Sequence, residues 1–399
     1  MRIMLVSDFY PPSPGGMESH VQRLAHSLGA RGHDIAVVSS TVDAEPLQSG
    51  VRPKTVSTLL ARIPGVFQDQ SRAYPPPWPD PIFRRELRHL VNEWRPDVVH
   101  AHGWCSFSCH WPASPPLVVT LHDHGLRCPE KSLLTGAAEC TSGLGKACWT
   151  CQGTQPISKR VPLAATLSRS VPGLVRHTKR FIAVSRSVAE RVSEVGVPLT
   201  NIEVIPNFIT EEVRRSRCSD QSSTESQRMN GILFVGPTAV YKGRSVAVDA
   251  FRQLPRELAE LRLVGSREAI HESGIINLGY LHGDAIRSEY RRASMVIVPS
   301  VWPEPCPTVV LEAMVNGKPV IGSRIGGIPD LVDHGRTGLL VPPNDPTALA
   351  ESMLRVITDA ELRRRLGEGA QVRVRRFLDA AIVPRLEAVY GHVSERSAS

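Results

Sequence analysis

Two glutamates flank the predicted start of a helix in the stretch Trp302-Pro-Glu304-Pro-Cys-Pro-Thr308-Val-Val-Leu-Glu312-Ala-Met. The prolines before Thr308 disfavour an earlier start, Thr308 can cap the helix, and residues 309–316 are predicted to be helical until a glycine and a proline end the run. Glu304 then lies in the preceding loop. Glu312 lies on the same face as Thr308, just over one turn into the helix.

This arrangement suits a diphosphate that carries hydroxyl-bearing groups on both sides. The first amides of the helix and the positive end of its dipole favour an anion. Carboxylates would repel a bare phosphate, but they accept hydrogen bonds from sugar and ribose hydroxyls. The stretch therefore indicates a nucleotide-sugar site more than a nucleoside triphosphate site. For an isolated pair of glutamates, two solvated acids near a helix start would be the commoner explanation.

Strands alternate with helices along most of the chain, as in doubly wound parallel sheets. The polar run 216–230 between two such series is typical of a linker. We therefore predict two domains, 1–215 and 231–376, whose strand-end loops face a cleft between them. The predicted strands are 3–6, 35–38, 98–99, 117–121, 181–184 and 202–205, followed by 232–235, 261–264, 275–278, 295–298 and 319–321.

Composition and charge limit the class of protein. The chain has 399 residues, a length that exceeds the usual size of a single domain, and 41% of them are hydrophobic, enough to form a large core. Its apolar runs are far shorter than the roughly 20 residues of a membrane span, and residues 1–8 predict a first strand and not a signal peptide. We therefore expect a cytoplasmic protein, and a position at the inner face of the membrane is compatible with this expectation.

The chain carries 47 basic and 39 acidic residues, a net charge of +8. Such a balance favours nucleic acid, anionic membranes or phosphorylated substrates as partners. No zinc-finger, RNP-like or helix-turn-helix pattern is present, so no nucleic acid partner is expected. The basic stretches 84–95 and 159–180 are compatible with peripheral membrane association, although solvated helix faces are the more ordinary explanation.

A series of short motifs carries a family resemblance over nearly the whole chain. The motifs are Pro11-Pro-Ser-Pro-Gly15-Gly16-Met-Glu18, Arg31-Gly-His33-Asp, Asp97-Val-Val-His100-Ala-His102-Gly, Leu121-His122-Asp123-His124, Val184-Ser185, Ile205-Pro206-Asn207, Tyr241-Lys242-Gly243 and Gly326-Gly327-Ile-Pro-Asp330. In this order and spacing, they resemble the motifs of the retaining glycosyltransferases of family 4, the group 1 glycosyltransferases, which have the two-domain GT-B fold.

The resemblance implies roles for residues of the second domain. Lys242 would stabilise the leaving diphosphate as a point charge. Glu304 would hydrogen-bond the donor sugar, and Glu312 would hold the ribose. The family usually has an arginine where this chain has Pro237, and Arg244 is a candidate to compensate. The predicted catalytic residues are His122, Lys242 and Glu304, and the predicted donor-binding residues are Gly15, Gly16, Lys242, Glu304, Thr308, Val309 and Glu312.

The resemblance also implies roles in the first domain. The imidazole of His122 would approach the transferred sugar, and the turn at Gly15 and Gly16 allows close approach of a phosphate or acceptor. Asp8 and Asp123 are isolated, so no metal-binding acidic dyad is evident. We therefore expect retaining transfer without a catalytic metal, with the donor phosphate helping to deprotonate the acceptor, as the family implies.

The acceptor cannot be named from the sequence. A glycan, a lipid-linked saccharide and a small natural product are all compatible with the motifs, so envelope or polysaccharide biosynthesis is one expected setting. A sugar-nucleotide epimerase on the same fold and a non-catalytic nucleotide-sugar binder are the alternatives. The expected ligands are a nucleoside-diphosphate sugar and an unknown hydroxyl acceptor.

Four cysteines cluster in a predicted insertion, residues 125–153. Cys148 and Cys151 have the two-residue gap of a metal knuckle, and with Cys128 and Cys140 they are candidates for a structural zinc site. Reduced thiols are the alternative for a cytoplasmic protein. Beyond this insertion and the second domain, residues 377–399 predict a final helix, which in the family returns to the first domain.

Overall fold

The computed structural model describes residues 1–13, 15–40, 53–59, 75–136, 138–211, 230–268 and 270–398. The chain divides into two compact units, one of Met1–Asn207 with Ile382–Ser399 and one of Phe208–Ala381, called unit 1 and unit 2 below. The first segment of unit 1 thus ends at Asn207, before the predicted domain boundary at 215. The predicted linker lies outside the described residues apart from Asn230, which begins a strand.

Unit 1 contains a parallel sheet of seven strands in the order β3-β2-β1-β4-β5-β8-β9, and a separate antiparallel pair, β6-β7. Strands β4 and β5 are buried along their whole length, as central strands of a parallel sheet are. The strands are β1 Arg2–Ser7, β2 Asp34–Ser39, β3 Lys54–Thr55, β4 Val98–His102, β5 Leu117–Leu121, β6 Leu134–Thr135, β7 Ala138–Glu139, β8 Thr178–Ala183 and β9 Ile202–Val204.

The longer helices of unit 1 each bury an apolar stripe in its core. In α2, Asp80 caps the first turn by accepting hydrogen bonds from two backbone amides, and Phe83, Leu87 and Val91 are buried. The apolar face of this basic helix is therefore covered inside unit 1, which favours the solvated-face interpretation of the stretch 84–95. The helices are α1 Gly16–Ala30, α2 Pro81–Trp94, α3 Ala147–Thr150, α4 Ile157–His177 and α5 Arg186–Ser193.

Unit 2 contains a parallel sheet of six strands in the order β12-β11-β10-β13-β14-β15. Both sheets reverse their strand order next to the first strand of the unit, the pattern of a Rossmann-like domain. The elements are β10 Asn230–Val235, α6 Arg244–Phe251, β11 Ala259–Val264, β12 Ile275–Gly279, α7 Gly283–Arg292, β13 Met295–Val298, α8 Thr308–Val315, β14 Val320–Ser323, α9 Ile328–Leu331, β15 Gly338–Val341, α10 Pro346–Thr358 and α11 Ala360–Arg373.

The last helix, α12, spans Asp379–Ala398, and from Ile382 onward it belongs to unit 1. Glu387 accepts two hydrogen bonds from the guanidinium of Arg31, at 2.7 and 2.8 Å. The hydroxyl of Tyr390 is hydrogen-bonded to His100 Nδ1 at 2.8 Å, and both residues are fully buried. This helix is therefore part of the core of unit 1.

The two-domain α/β prediction is confirmed, with local differences. Strand β15 and the short β3, β6 and β7 were not predicted. Thr308 is the first residue of α8 and not its cap; Pro307 occupies the cap position, and no side chain caps the helix. Within the described ranges, no helix combines the length and the apolar character needed to cross a membrane.

Candidate active site

A lysine and a glutamate from two different loops form a close ion pair in unit 2. Lys242 Nζ lies 2.5 Å from Glu304 Oε1. The other carboxylate oxygen of Glu304 accepts hydrogen bonds from the Ser300 hydroxyl at 3.0 Å and from the Trp302 indole N–H at 2.6 Å. The Glu304 side chain is 6% exposed and the Lys242 side chain 25% exposed, so solvent reaches the pair mainly from the lysine. Two predicted catalytic residues are thus in contact.

Two glycines allow the loops that carry this pair to approach each other. Gly243 has a φ of 75°, and a Cβ there would lie 1.8 Å from the carbonyl oxygen of Pro299. Gly326, in the loop after β14, has a φ of 59°, and a Cβ there would lie 2.4 Å from the carbonyl oxygen of Glu304. A side chain at either position would displace the backbone next to Lys242 or Glu304, so both glycines are required by close packing.

Glu312 is oriented by a buried tyrosine on the neighbouring helix. The hydroxyl of Tyr290, on α7, donates a hydrogen bond to Glu312 Oε2 at 2.7 Å. Thr308 and Val309 form the first two positions of the same helix as Glu312, and their amides precede the first α-helical hydrogen bonds. The helix start therefore presents backbone donors for an anion, with an anchored carboxylate one turn further on.

Arg244 does not take the place of the arginine that the family usually has at Pro237. Its guanidinium donates hydrogen bonds to the Glu268 carbonyl at 2.6 Å and to Asn277 Oδ1 at 3.1 Å. Pro237 itself is exposed. The guanidinium is held by residues of the neighbouring strand β12 and of the loop after β11, so the expected compensation is not supported by the geometry.

In unit 1, three histidines meet beyond the carboxyl ends of β4 and β5. His102 ends β4, His122 directly follows β5, and His20 lies on α1. His102 Nδ1 and His122 Nε2 are 3.0 Å apart and share a hydrogen bond. The rings of His20 and His122 have centroids 4.8 Å apart. His122, the predicted catalytic histidine, is thus part of a cluster and not an isolated loop residue.

Burial keeps these imidazoles neutral at pH 7. It lowers the pKa of His122 to about 4, with Asp123 opposing the shift. Burial, together with the nearby His122, lowers the pKa of His100 to about 3. The pKa values of His20 and His102 are also lowered well below the usual range, again chiefly by burial. A neutral imidazole can act as hydrogen-bond donor on one nitrogen and as acceptor on the other.

Within the part of the chain that the structure describes, this trio is the one group of potential metal ligands that lie close together. One ligand atom each from His20, His102 and His122 falls within 4.8 Å of the others. Two nitrogen ligands on one tetrahedral zinc ion are roughly 3.3 Å apart. The hydrogen bond between His102 and His122 would have to break for both to face one ion, so the arrangement suits a hydrogen-bonded cluster better than a preformed metal site.

Asp8 and Asp123, which are far apart in the sequence, lie close to the same lysine in the structure. Lys131 Nζ lies 3.7 Å from Asp8 Oδ2 and 3.4 Å from Asp123 Oδ2. Asp8 is fully buried and accepts hydrogen bonds from the amides of Trp104 and Cys105, at 3.0 and 2.7 Å. Burial raises the pKa of the Asp8 carboxyl, while Lys131 and these amides lower it. The insertion 125–153 therefore contributes a cation, Lys131, to the edge of the unit 1 sheet at which the three histidines lie.

Gly15 precedes α1 at the cap position and Gly16 is its first residue, five and four residues before His20. A Cβ on Gly15 would meet the buried Glu18 carboxylate at 2.0 Å, whereas nothing lies within 4 Å of the Cβ position on Gly16. Gly16 therefore faces open space at the helix start, which is compatible with the predicted approach of a phosphate or acceptor.

The four cysteines of the insertion are not brought together as a zinc site. All four are free thiols, and within the described residues they do not form a set of close metal ligands. Burial raises the pKa of the Cys128 thiol, even though three backbone N–H groups point towards its sulfur. The buried Arg160, which donates to the Cys148 carbonyl at 3.0 Å, ties α3 to α4 instead. The geometry supports the reduced-thiol alternative for Cys128, Cys140, Cys148 and Cys151.

Sequence reasoning missed His20, His102 and Lys131 as site residues. His20 follows the predicted Gly15-Gly16 turn by four residues, and His102 lies three residues beyond the predicted strand 98–99, so proximity to a turn or to a strand end was an available signal. Lys131 carried no comparable signal, because it reaches the edge from an insertion whose path the sequence did not predict.

Comparison with known proteins identifies the class. The family model described as Glycosyltransferase Family 4 matches residues 14–213, and the model described as Glycosyl transferases group 1 matches residues 230–359. The chain therefore belongs to glycosyltransferase family 4, and it is a glycosyltransferase.

Individual relatives agree with this assignment. Glycogen synthase of Mycobacterium tuberculosis is 27% identical, with 94% of this chain and 90% of that protein covered. Sucrose-phosphate synthase from Thermosynechococcus elongatus superposes with a TM-score of 0.74 at 21% identity, covering 100% of both chains. Anabaena HepE in complex with UDP superposes with a TM-score of 0.70 at 20% identity, covering 98% of this chain and 100% of the other. The predicted GT-B fold is thereby confirmed.

Proposed function

We propose that this protein transfers a sugar from a nucleoside-diphosphate sugar to a hydroxyl acceptor, with retention of anomeric configuration. The observation that carries the proposal is the Lys242–Glu304 pair beside the start of α8, with Glu312 anchored by Tyr290. It combines a cation for a diphosphate with two carboxylates for hydroxyls. The complex of HepE with UDP supports a nucleotide-linked donor.

When the donor binds, Lys242 and Glu304 would each exchange the other for a group of the donor. Lys242 would turn from Glu304 to the diphosphate and stabilise the negative charge that develops on the leaving group. Glu304, released from the lysine, would accept a hydrogen bond from a hydroxyl of the transferred sugar. The amides of Thr308 and Val309 would bind phosphate oxygens, and Glu312 would hold the ribose hydroxyls.

His122 would contact the transferred sugar as a neutral imidazole, because its lowered pKa of about 4 keeps it uncharged at pH 7. The donor phosphate would accept the proton of the attacking hydroxyl on the same face of the sugar, which accounts for retention. Lys242 supplies positive charge at the diphosphate, so we propose that no divalent metal is needed. Transfer that stops in EDTA and recovers with Mg²⁺ would contradict this part.

The donor is tested by thermal shift and mass spectrometry with UDP-, GDP-, ADP- and dTDP-sugars. One nucleotide sugar should stabilise the wild type and the control variant Glu351→Ala, which changes an exposed glutamate of unit 2. The same ligand should fail to stabilise Glu312→Ala. If no nucleotide sugar stabilises the wild type, the proposed donor class is wrong.

Incubation with and without acceptors separates transfer from the two alternatives. Transfer needs an acceptor, an epimerase converts the donor alone, and a non-catalytic binder does neither. Glycogen synthase and sucrose-phosphate synthase carry the names of different products, so the acceptor panel should include glycans, lipid-linked saccharides and small natural products.

A further inference from the structure

Unit 2 contains a cavity of about 620 Å³ that is lined by four arginines. Arg336 lies in the turn before β15, Arg365 and Arg373 lie on α11, and Arg376 lies in the 3-10 turn that follows. A Cβ on Gly369 of α11 would lie 2.1 Å from the Arg336 carbonyl oxygen, so the helix and the turn are in direct backbone contact at the base of the cavity.

One of these arginines is neutralised within the protein. Arg373 donates hydrogen bonds to the carbonyls of Asp330, at 2.8 Å, and of Leu331, and it pairs with the Asp333 carboxylate. Asp333 is the only acidic residue that lines the cavity among the described residues. Burial lowers the pKa of Arg373; Asp333 opposes the shift, and the positive charge of Arg376 adds to it.

The other three arginines have no such partner. In the part of the chain that the structure describes, the side chains of Arg336, Arg365 and Arg376 make no hydrogen bond or ion pair, although all three are exposed and face the same cavity. Three guanidinium groups thus line one cavity without an ion-pair partner, and their mutual repulsion costs free energy.

Two other exposed arginines of unit 2 do have carboxylate partners. Arg364 on the same helix pairs with both Glu361 and Glu368, at 2.6 Å each. Arg252 pairs with Asp249 at 3.0 Å and with Glu272 at 2.9 Å. At the cavity, the single lining carboxylate, Asp333, is already paired with Arg373.

We propose that this cavity binds the phosphate monoester group of a small metabolite or of a lipid headgroup. Guanidinium groups match the geometry of phosphate oxygens and bind them with two parallel hydrogen bonds. The volume lies within the usual range of small-ligand sites. The cavity shares no residue with the Lys242, Glu304 and Glu312 site, so this inference goes beyond the proposed function and does not depend on it.

Calorimetry with glycerol 3-phosphate tests the soluble source, and flotation with phosphatidylcholine vesicles containing phosphatidic acid tests the lipid source. The double variant Arg336→Ser/Arg365→Ser removes two lining arginines. The matched control Arg355→Ser/Arg375→Ser removes the same charge from exposed positions outside the lining. We expect the wild type and the control to bind at least one probe, and the lining variant to bind at least tenfold more weakly.

Each outcome decides the matter. Binding of glycerol 3-phosphate identifies a soluble ligand, and binding of the vesicles alone identifies a headgroup. The proposal is overturned if the wild type binds neither probe, if both double variants lose binding equally, or if binding is lost in Lys242→Ala and kept in the lining variant. Should the lining variant fail to fold, Arg336→Ser alone, in an exposed turn, replaces it.

Discussion

Glu304 is expected to have two competing functions, because the same carboxylate that is predicted to bind a sugar neutralises Lys242 in the donor-free protein. Its carboxylate oxygens are in contact with Lys242, Ser300 and Trp302. A nucleotide sugar must therefore replace this ion pair with contacts of its own. Breaking the Lys242–Glu304 ion pair costs free energy, and this cost weakens the binding of any diphosphate that uses Lys242.

Glu304→Gln should separate these functions. We expect the variant to bind the nucleoside diphosphate of the identified donor about tenfold more tightly, a gain of about 1.4 kcal/mol, because Lys242 is no longer neutralised. The rate of sugar transfer should fall, because the carboxylate acceptor is lost. Calorimetry with the diphosphate and a transfer assay measure the two effects.

The half-buried Glu260, elsewhere in unit 2, is not a suitable control position, because its carboxylate pairs with Arg262 at 2.7 Å. Glu351→Gln on α10 is suitable and should change neither quantity. Weaker diphosphate binding by Glu304→Gln would show that the carboxylate positions Lys242 more than it competes for it.

The sequence predicted Lys242, Glu304 and Glu312 one by one, from their motifs and from the helix start. It could not predict that Lys242 and Glu304 touch, because 62 residues separate them and the contact depends on how two strand-end loops pack. The same limit applies to the histidines: His122 was expected, but its hydrogen bond to His102 follows from the pairing of β4 with β5.

At the scale of elements, strands were predictable and loops were not. Most of the buried strands of the two sheets were predicted because a short apolar run between turn residues is a local signal. Strand β15, Gly338–Val341, was missed although all four of its residues are buried. Its apolar run is only residues 339–341, between a glycine and Pro342, so its assignment as a strand depends on the pairing with β14.

The loop after β14 holds the Glu304 loop in place. Gly326→Ala should destabilise the protein by more than about 1 kcal/mol, for two reasons. The added methyl group would lie 2.4 Å from the Glu304 carbonyl oxygen, and the alanine would have to adopt a positive φ. We also expect weaker donor binding. Urea unfolding and thermal shift with the donor measure these effects.

Gly279→Ala is the matched control. Gly279 also has a positive φ, 65°, but nothing lies within 4 Å of its Cβ position. Its substitution should cost about 1 kcal/mol of backbone strain and leave donor binding unchanged. Equal effects of the two variants on donor binding would mean that close packing at Gly326 does not position Glu304.

At the scale of the whole molecule, α12 completes the core of unit 1. Tyr390→Phe should lower the free energy of unfolding by about 1–2 kcal/mol, because it leaves buried His100 Nδ1 without its hydroxyl partner. The exposed Tyr280→Phe should have no measurable effect. Urea unfolding of both variants makes the comparison. An unchanged stability in Tyr390→Phe would show that water replaces the hydroxyl.

The buried histidines predict a stability that declines in mild acid. Because burial lowers the pKa of His100 to about 3 and of His122 to about 4, the unfolded chain binds protons below its ordinary histidine pKa near 6.5 that the folded chain does not bind. Stability is then complete above about pH 6.5 and falls as the pH is lowered towards 4. Each such histidine contributes a slope of roughly 1.4 kcal/mol per pH unit.

Urea unfolding between pH 7.5 and 5 measures this slope. His100→Asn should reduce the slope of stability against pH by the contribution of one histidine, roughly 1.4 kcal/mol per pH unit. This holds whatever the substitution does to the stability at pH 7.5. The exposed His271→Asn should leave the slope unchanged. An equal slope in wild type and His100→Asn would contradict the lowered pKa of His100.

The path of α12 also bears on the order in which the protein is made. Unit 1 needs residues from Ile382 onward, which the ribosome adds only after the whole of unit 2, Phe208–Ala381, has been synthesised. Domains usually fold as units during synthesis, beginning with the N-terminal one. Here the unit that starts first must wait for Tyr390 to reach His100, so unit 2 is the first that can finish folding on a nascent chain.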